Sequence, residues 1–120
     1  MLRKTFYSIP MSKRILLKLS GEALCGKDGF GIAVATIADL AGQVLELQKK
    51  GVQLVIVLGA GNIWRFRDNQ DSGIDRVFSD YMGMLATIMN SVALMSAIEK
   101  KGGRARVCSA LDIPSVAEPF

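Results

Sequence analysis

Apolar positions along the chain follow two different periods. Two short runs rich in leucine, isoleucine and valine, 15–19 and 52–58, predict strands. We expect the second to be buried on both faces, because it is apolar almost throughout. Between them, apolar residues in Ala33–Lys50 recur every three or four positions, which predicts a helix ending before Gly51. Strand, helix and strand with short joints predict a right-handed βαβ unit.

A second predicted helix, Ser79–Lys101, is apolar over most of its circumference. A helix of this kind is buried on more than one side, so we expect another subunit or a further domain to cover it. We interpret its methionines as core filling. One stripe is polar or small, and a solvated edge and a ligand-facing role are both open for it: Asp80, Gly83, Thr87, Asn90 and Ser91. A glycine pair ends the helix, and residues 104–110 predict a third strand.

Composition limits the chemistry that the chain can perform. There is no histidine among the 120 residues, which excludes a Ser-His-Asp triad, a histidine-ligated zinc site and a histidine general base. The net charge of +4 is scattered and forms no patch, which favours acidic small molecules over nucleic acid as partners. Cys25 and Cys108 have neither metal-ligand nor CxxC spacing, and we expect reduced thiols.

Length and targeting signals predict a cytoplasmic protein. The chain suits one domain or half of a larger one. No uninterrupted apolar run approaches the roughly 20 residues of a membrane span. Residues 1–12 are interpreted as a leader without the apolar stretch of a signal peptide, with Met11 as a second candidate start.

Two glycine-containing turns follow the two predicted strands. The first carries Lys18, Ser20 and Gly21, and the second carries 59–62 and then Arg65. Because the carboxyl ends of parallel strands meet at one edge of a sheet, exposed amides and cations there would bind phosphate. Each turn taken alone is more often a structural loop.

Two nucleotide-binding fingerprints almost match and are rejected. Residues 21–28 differ from a P-loop at the last position, where Asp28 replaces the hydroxyl residue that would hold magnesium. A P-loop also opens directly into a helix, whereas a glycine-rich loop follows here. Gly59 begins a dinucleotide fingerprint, but Trp64 stands at the position of its third glycine.

Three ordered segments resemble the bacterial UMP kinases (uridylate kinases), a branch of the amino-acid kinase family: Arg14–Glu22, Gly59–Asn62 with Arg65, and Arg76–Thr87. The resemblance runs from about Lys13 to the last residue and covers the N-terminal half of such an enzyme. It implies an α/β fold, a three-layer αβα sandwich with a mostly parallel sheet that is incomplete here. It also implies a homo-oligomer, which is a hexamer in the family.

The resemblance implies transfer of the γ-phosphoryl group of ATP, with Mg²⁺, to UMP, and it assigns roles to individual residues. Lys18 and Arg65 would be catalytic. The implied ATP-binding residues are Lys18, Leu19, Ser20, Gly21, Gly61 and Arg65. Ala60 and Asp80 would bind UMP, although Asp80 could instead cap its helix. A loop used for activation by GTP in some members matches Gly26, Lys27, Asp28, Gly29, Phe30 and Gly31. GTP or UTP would be the effector, and no metal-ligating residue is predicted.

Departures from the family pattern leave two alternatives open. Ala60 stands where the family has glycine, and Met95 and Glu99 stand where GTP-regulated members have arginine and histidine. One alternative is a non-catalytic fragment that retains phosphate binding or subunit association. The other is a relative that phosphorylates a carboxylate or carbamate, which would not explain residues 80–84. We predict that Lys18, Gly61, Arg65 and Asp80 line one crevice.

Overall fold

The computed structural model describes residues 13–120, and the leader predicted for residues 1–12 lies outside the described residues. The elements along the chain are β1 (Arg14–Leu19), α1 (Val34–Lys49), β2 (Gln53–Leu58), α2 (Arg76–Lys100), β3 (Cys108–Ser109) and β4 (Glu118–Pro119). Short 3-10 turns occupy Gly21–Leu24, Phe66–Asp68 and Gln70–Ser72. The two predicted helices and first two strands are therefore confirmed, although α2 begins three residues earlier than predicted.

The predicted βαβ unit forms a two-stranded parallel sheet. Leu19 of β1 lies in register with Leu58 of β2, so both strands end at the same level. The amide of Gly59 donates to the carbonyl of Leu19 over 2.9 Å and continues the ladder beyond β2. α1 ends at Lys49, shortly before Gly51 as predicted. Gly51 has a φ of 78°, a backbone conformation that favours glycine. The turns after the two strands are therefore neighbours.

One face of this sheet packs against both helices. The buried core contains side chains from the 3-10 turn after β1, from α1 and α2, and from the helix-facing side of β2: Leu24, Ile37, Ala41, Val44, Leu58, Leu94 and Ile98. The opposite face is open, since Leu16 is 67% exposed, Val55 49% and Val57 47%. The prediction that β2 is buried on both faces is therefore wrong for residues 13–120, because no described element covers the second face.

The predicted third strand is also largely wrong. Within 104–110 only Cys108–Ser109 forms a strand, and it pairs with β4 in a separate sheet. The segment keeps a strand-like alternation of exposed and covered side chains. On the side of β4, the carbonyl groups of Val107 and Ser109 accept bonds from the amides of Glu118 and Phe120 over 2.9 and 3.1 Å. On the side of β2, a cleft of about 500 Å³ separates the segment from that strand.

Among residues 13–120, α2 is the one helix that is long and apolar enough to cross a membrane by length and composition. Core helices of soluble proteins pass the same test, and α2 packs Leu94 and Ile98 into the core. Most polar residues of α2 are uncharged. The helix as a whole is therefore more apolar than its short uninterrupted apolar runs indicate. Both cysteines are free thiols.

Candidate functional site

The turns after β1 and β2 touch each other backbone to backbone. The hydroxyl of Ser20 accepts a 3.3 Å bond from the amide of Glu22 and caps the short 3-10 turn. Gly21 is buried in this turn. A Cβ atom at Gly21 would lie 2.7 Å from the amide nitrogen of Gly61 and 2.8 Å from the carbonyl oxygen of Gly59. Only glycine fits at this contact.

Four backbone amides of the two turns have no hydrogen-bond acceptor within residues 13–120. They are those of Gly21, Ala60, Gly61 and Asn62. The carbonyl oxygen of Ala60, by contrast, accepts bonds from the next turn of chain, at 2.9 Å each from Ile63 and Trp64. Gly21 and Asn62 are buried, whereas Ala60 and Gly61 are partly exposed, so the amides of Ala60 and Gly61 are the donors of a cradle that an anion can reach.

Arg65 supplies a positive charge at the edge of this cradle. Its Nε atom donates to the carbonyl oxygen of Gly61 over 2.8 Å, and its Nη2 atom forms an ion pair with Glu22. Its own carbonyl oxygen accepts a 2.8 Å bond from Asn69. The side chain is 24% exposed, so the guanidinium is held in place and still accessible. The predicted proximity of Gly61 and Arg65 is confirmed.

Two buried carboxamides form hydrogen bonds between the turn after β2 and α2. Asn62 and Asn90 are both fully buried, and each donates its Nδ2 to the other's Oδ1, over 3.0 and 2.8 Å. Asn62 also donates to the carbonyl oxygen of Gly31 over 2.9 Å, and Asn90 to that of Gly59 over 2.8 Å. The pair joins the turn to the middle of α2. Asn90 is therefore neither at a solvated edge nor exposed to a ligand.

Lys18 lies on the open face of the sheet. It is exposed and stands opposite Val57 in the parallel register, one residue before the end of β1. The structure therefore leaves this ammonium group accessible near the strand ends.

Asp80 does not cap a helix. Because α2 begins at Arg76, Asp80 lies in its second turn, where its carboxylate accepts bonds of 2.9 and 3.1 Å from the Nε of Arg76. The preceding residue, Ser79, accepts a 2.7 Å bond from the indole of Trp64, which fixes the loop after the glycine turn against α2. No hydrogen bond or ion pair among the described residues joins Asp80 to Lys18, Gly61 or Arg65. The four-residue crevice stays a prediction.

The glycine-rich loop at 26–31 is hydrogen-bonded to the turn after β2. It is exposed, and Gly29 and Gly31 adopt left-handed backbone conformations with φ of 70° and 74°. The amide of Gly31 donates to the carbonyl oxygen of Asn62 over 2.7 Å. The chain enters no α-helix until Val34, which agrees with the rejection of a P-loop. The effector role of this loop stays a prediction.

Two side-chain pairings that shape the site were not predicted from the sequence. Glu22 stands within the segment Arg14–Glu22, but its pairing with Arg65 depends on the approach of two turns. Asn62 lies in the predicted second turn and Asn90 in the polar stripe of the second helix, but the hydrogen bonds between them were not predicted. The available signal was Asn90 itself, an amide within an apolar helix, because a buried amide requires a partner.

Comparisons with known proteins show the family to which the chain belongs. The family model of the amino acid kinase family matches residues 13–118. The uridylate kinases of Onion yellows phytoplasma (strain OY-M) and Aster yellows witches'-broom phytoplasma (strain AYWB) are each 49% identical over 110 residues, which are 92% of this chain and 46% of each relative. The chain thus spans about half the length of these relatives.

Solved structures give the same result for the fold. The crystal structure of UMP kinase from Ureaplasma parvum matches with a TM-score of 0.85 and 35% identity, over 92% of this chain and 47% of that one. UMP kinase from Bacillus anthracis matches with a TM-score of 0.83 and 37% identity, over 90% of this chain and 45% of that one. The expected α/β fold of the amino-acid kinase type is confirmed, with an incomplete sheet. The chain belongs to the amino acid kinase family.

Proposed function

We propose that the chain is part of a UMP kinase, which transfers the γ-phosphoryl group of ATP to UMP in pyrimidine nucleotide biosynthesis in the cytoplasm. The observation that carries the proposal is the cradle formed by the free, partly exposed amides of Ala60 and Gly61 beside the guanidinium of Arg65. Amide and guanidinium donors that converge in this way bind phosphate groups. The similarity to uridylate kinases supports UMP as the phosphoryl acceptor.

The proposed chemistry needs no general base. A phosphate oxygen of UMP attacks the γ-phosphorus of ATP, the bond to the ADP oxygen breaks, and UDP and ADP result. The nucleophile is already an anion, so the absence of histidine is no obstacle. Catalysis of this kind rests on positioning and on stabilisation of the charge on the transferred group. Lys18 and Arg65 are the cations proposed for it.

The remaining binding roles follow the same assignment. Leu19, Ser20, Gly21 and Gly61 would line the ATP phosphates with Lys18 and Arg65. Ala60 would contact UMP, and Asp80 would accept hydrogen bonds from its ribose hydroxyls after release from Arg76. A homohexamer and an effector role for GTP or UTP at the 26–31 loop are proposed on family resemblance.

Magnesium would enter with ATP. Within residues 13–120, no three His, Cys, Asp or Glu side chains are grouped to hold a metal ion, so this part of the chain offers no protein cage. The ATP phosphates would carry the ion, which would neutralise part of their charge.

A UMP titration followed by tryptophan fluorescence tests the acceptor site. Trp64 is the only tryptophan, and its indole is bonded to Ser79, the neighbour of Asp80. We expect a saturable change that Asp80→Asn abolishes. Asp39→Asn, which alters an exposed carboxylate on α1, should leave the change intact. The absence of a response from folded protein would contradict a formed UMP site.

Measurement of UDP formation separates the alternatives. Steady-state turnover by this chain would exclude the non-catalytic fragment. UMP binding without turnover would favour that fragment. ATP binding without any response to UMP would favour a kinase acting on a carboxylate or carbamate.

A further inference from the structure

We propose that Asn62 and Asn90 are positioning residues that keep the phosphate cradle open. The inference rests on the proposed phosphate-binding function and assigns a role to two side chains that the nucleotide itself would not touch. Both side chains have 0% exposure and lie behind the turn.

The side-chain amides of Asn62 and Asn90 are fully hydrogen-bonded. A carboxamide has two N–H donors. Asn62 uses its Nδ2 for the oxygens of Gly31 and Asn90, over 2.9 and 3.0 Å. Asn90 uses its Nδ2 for the oxygens of Gly59 and Asn62, both over 2.8 Å. Every donor of both amides is engaged, and no buried side-chain nitrogen or oxygen among the described residues lacks a partner.

Hydrogen bonds also orient the backbone carbonyl groups of the turn after β2. Carbonyl oxygens that point into a phosphate site repel the ligand, whereas N–H groups attract it. The carbonyl oxygen of Gly59 is drawn toward Asn90, that of Gly61 toward Arg65, and that of Asn62 toward the Gly31 amide over 2.7 Å. The amides of residues 60–62 are left without acceptors within residues 13–120. Through Asn90 the pair holds the carbonyl oxygen of Gly59 away from the cradle, and the partly exposed amides of Ala60 and Gly61 keep no acceptor of their own.

The buried pair also preorganises the turn after β2. A turn containing two glycines has many accessible conformations, and an anion that had to select one would bind more weakly. The buried pair fastens the turn to α2, the longest helix in the described chain, and to Gly31. Loss of either amide should therefore reduce anion affinity through a larger set of turn conformations.

The test is a titration with inorganic tripolyphosphate, a stand-in for the triphosphate of ATP, followed by NMR. We expect Asn62→Ala and Asn90→Ala each to weaken binding at least tenfold under conditions where the protein is folded. The double variant should lose no more than either single one, because both act through one pair. Leu94→Ala, one turn further along α2 in the core, destabilises the fold without touching the turn and should change affinity less than twofold.

The outcomes separate this inference from the proposed function. If folded wild-type protein binds no tripolyphosphate, the phosphate-binding function fails and the inference falls with it. If wild-type protein binds and the Asn variants bind equally well, only the inference is overturned. The same holds if Leu94→Ala weakens binding as much as Asn90→Ala, because affinity would then follow stability alone.

A measurement on wild-type protein keeps the inference open to refutation if the variants do not fold. The side-chain amide protons of Asn62 and Asn90 should exchange with solvent far more slowly than those of exposed Gln70. Tripolyphosphate should shift the backbone amide resonances of 60–62. Carboxamide exchange as fast as that of Gln70, or unchanged turn resonances on binding, would overturn the positioning role.

Discussion

Gly21 is the residue at which the turns after β1 and β2 approach most closely. A Cβ atom there would meet backbone atoms of Gly59 and Gly61, which cannot move without opening the cradle. We expect Gly21→Ala to lower the free energy of unfolding by about 1–3 kcal/mol, as overpacking does. The matched control is Gly42→Ala in α1, where nothing lies within 4 Å and the change should stabilise by about 0.5–1 kcal/mol. Urea denaturation measures both, and equal effects would contradict the close contact.

Glu22 competes with any anion for Arg65. Its carboxylate pairs with Nη2 of Arg65, while Nε remains on the carbonyl oxygen of Gly61. An exposed ion pair is worth about 0.2–1 kcal/mol, so Glu22→Gln should tighten tripolyphosphate binding about two- to fivefold. The gain should shrink as ionic strength rises. Weaker binding by the variant, measured by calorimetry, would mean that Glu22 orients Arg65 rather than competing for it.

Site residues that lie within a local sequence motif could be predicted from the sequence. The glycine turns that follow the two apolar runs predict that Gly21, Gly61 and Arg65 lie close together. The Asn62–Asn90 pair could not be predicted in the same way, because 28 positions separate the two residues and only the packing of α2 against the turn joins them. An isolated asparagine in a helix indicates a buried partner without identifying it.

The unpaired edge of β2 gives a prediction at the scale of elements. The amide of Gln53 donates to Lys13, the residue before β1, and that of Gly59 donates to Leu19 of β1, so alternation places the amides of Val55 and Val57 on the same edge. The amides of 54, 56 and 58 then face the cleft that separates β2 from 104–108. Hydrogen exchange should be slow for Val55 and Val57 and much faster for Leu54 and Ile56. Equal protection of both sets would mean that 104–110 pairs with β2 in solution.

The ion pair between Arg106 and Glu118 links β4 to the segment before β3. Arg106 donates to both carboxylate oxygens, which lowers the pKa of Glu118, while the pKa of Arg106 is raised by the same partner. A carboxylate with a depressed pKa stabilises above its ordinary value, about 4.3, and loses that effect as pH falls through the folded-state value. Because both groups are exposed, the effect is confined to this local pairing.

The pH dependence of that pairing can be measured. Glu118→Gln should weaken the β3–β4 contact at pH 7, seen as a shift of the Phe120 amide resonance, whose proton bonds to Ser109. The difference from wild type should vanish once acid has protonated Glu118. Glu99→Gln, on α2, is the control and should leave this resonance unchanged. A variant difference that persists at low pH would contradict the electrostatic origin.

Periodicity predicted the elements well where the partner was local and poorly where it was distant. β1, α1 and β2 interact within about 45 residues of chain, and their order and pairing agreed with the pattern. The alternation in 104–110 predicted a strand, and the side chains do alternate, but the backbone pairs with residues 118–120 and not with β2. A strand pattern describes one segment and does not identify its partner.

At the scale of the whole molecule, residues 13–120 leave two apolar surfaces exposed. One is the open face of the sheet, with Leu16, Val55 and Val57. The other is a stripe along α2, and it contains Val77, Phe78, Tyr81, Met84, Leu85 and Met89, each at least 40% exposed. Contiguous exposed apolar patches on this scale mark interaction sites or aggregation hazards. The apolar circumference of α2 predicted a covered helix, and residues 13–120 cover only the side that faces the core.

Sedimentation velocity can separate the two surfaces. A stripe spaced by three and four residues on one helix is suited to a discrete contact with a second copy of the chain, so the combined variant Leu85→Lys and Met89→Lys should shift the protein toward monomer. The matched variant Leu16→Lys and Val55→Lys changes the open sheet face and should reduce polydisperse aggregation while preserving any discrete oligomer. If the sheet variant alone yields monomer, the sheet face is the subunit contact and α2 is not. If neither variant changes the distribution, the exposed apolar surfaces do not drive association of this chain.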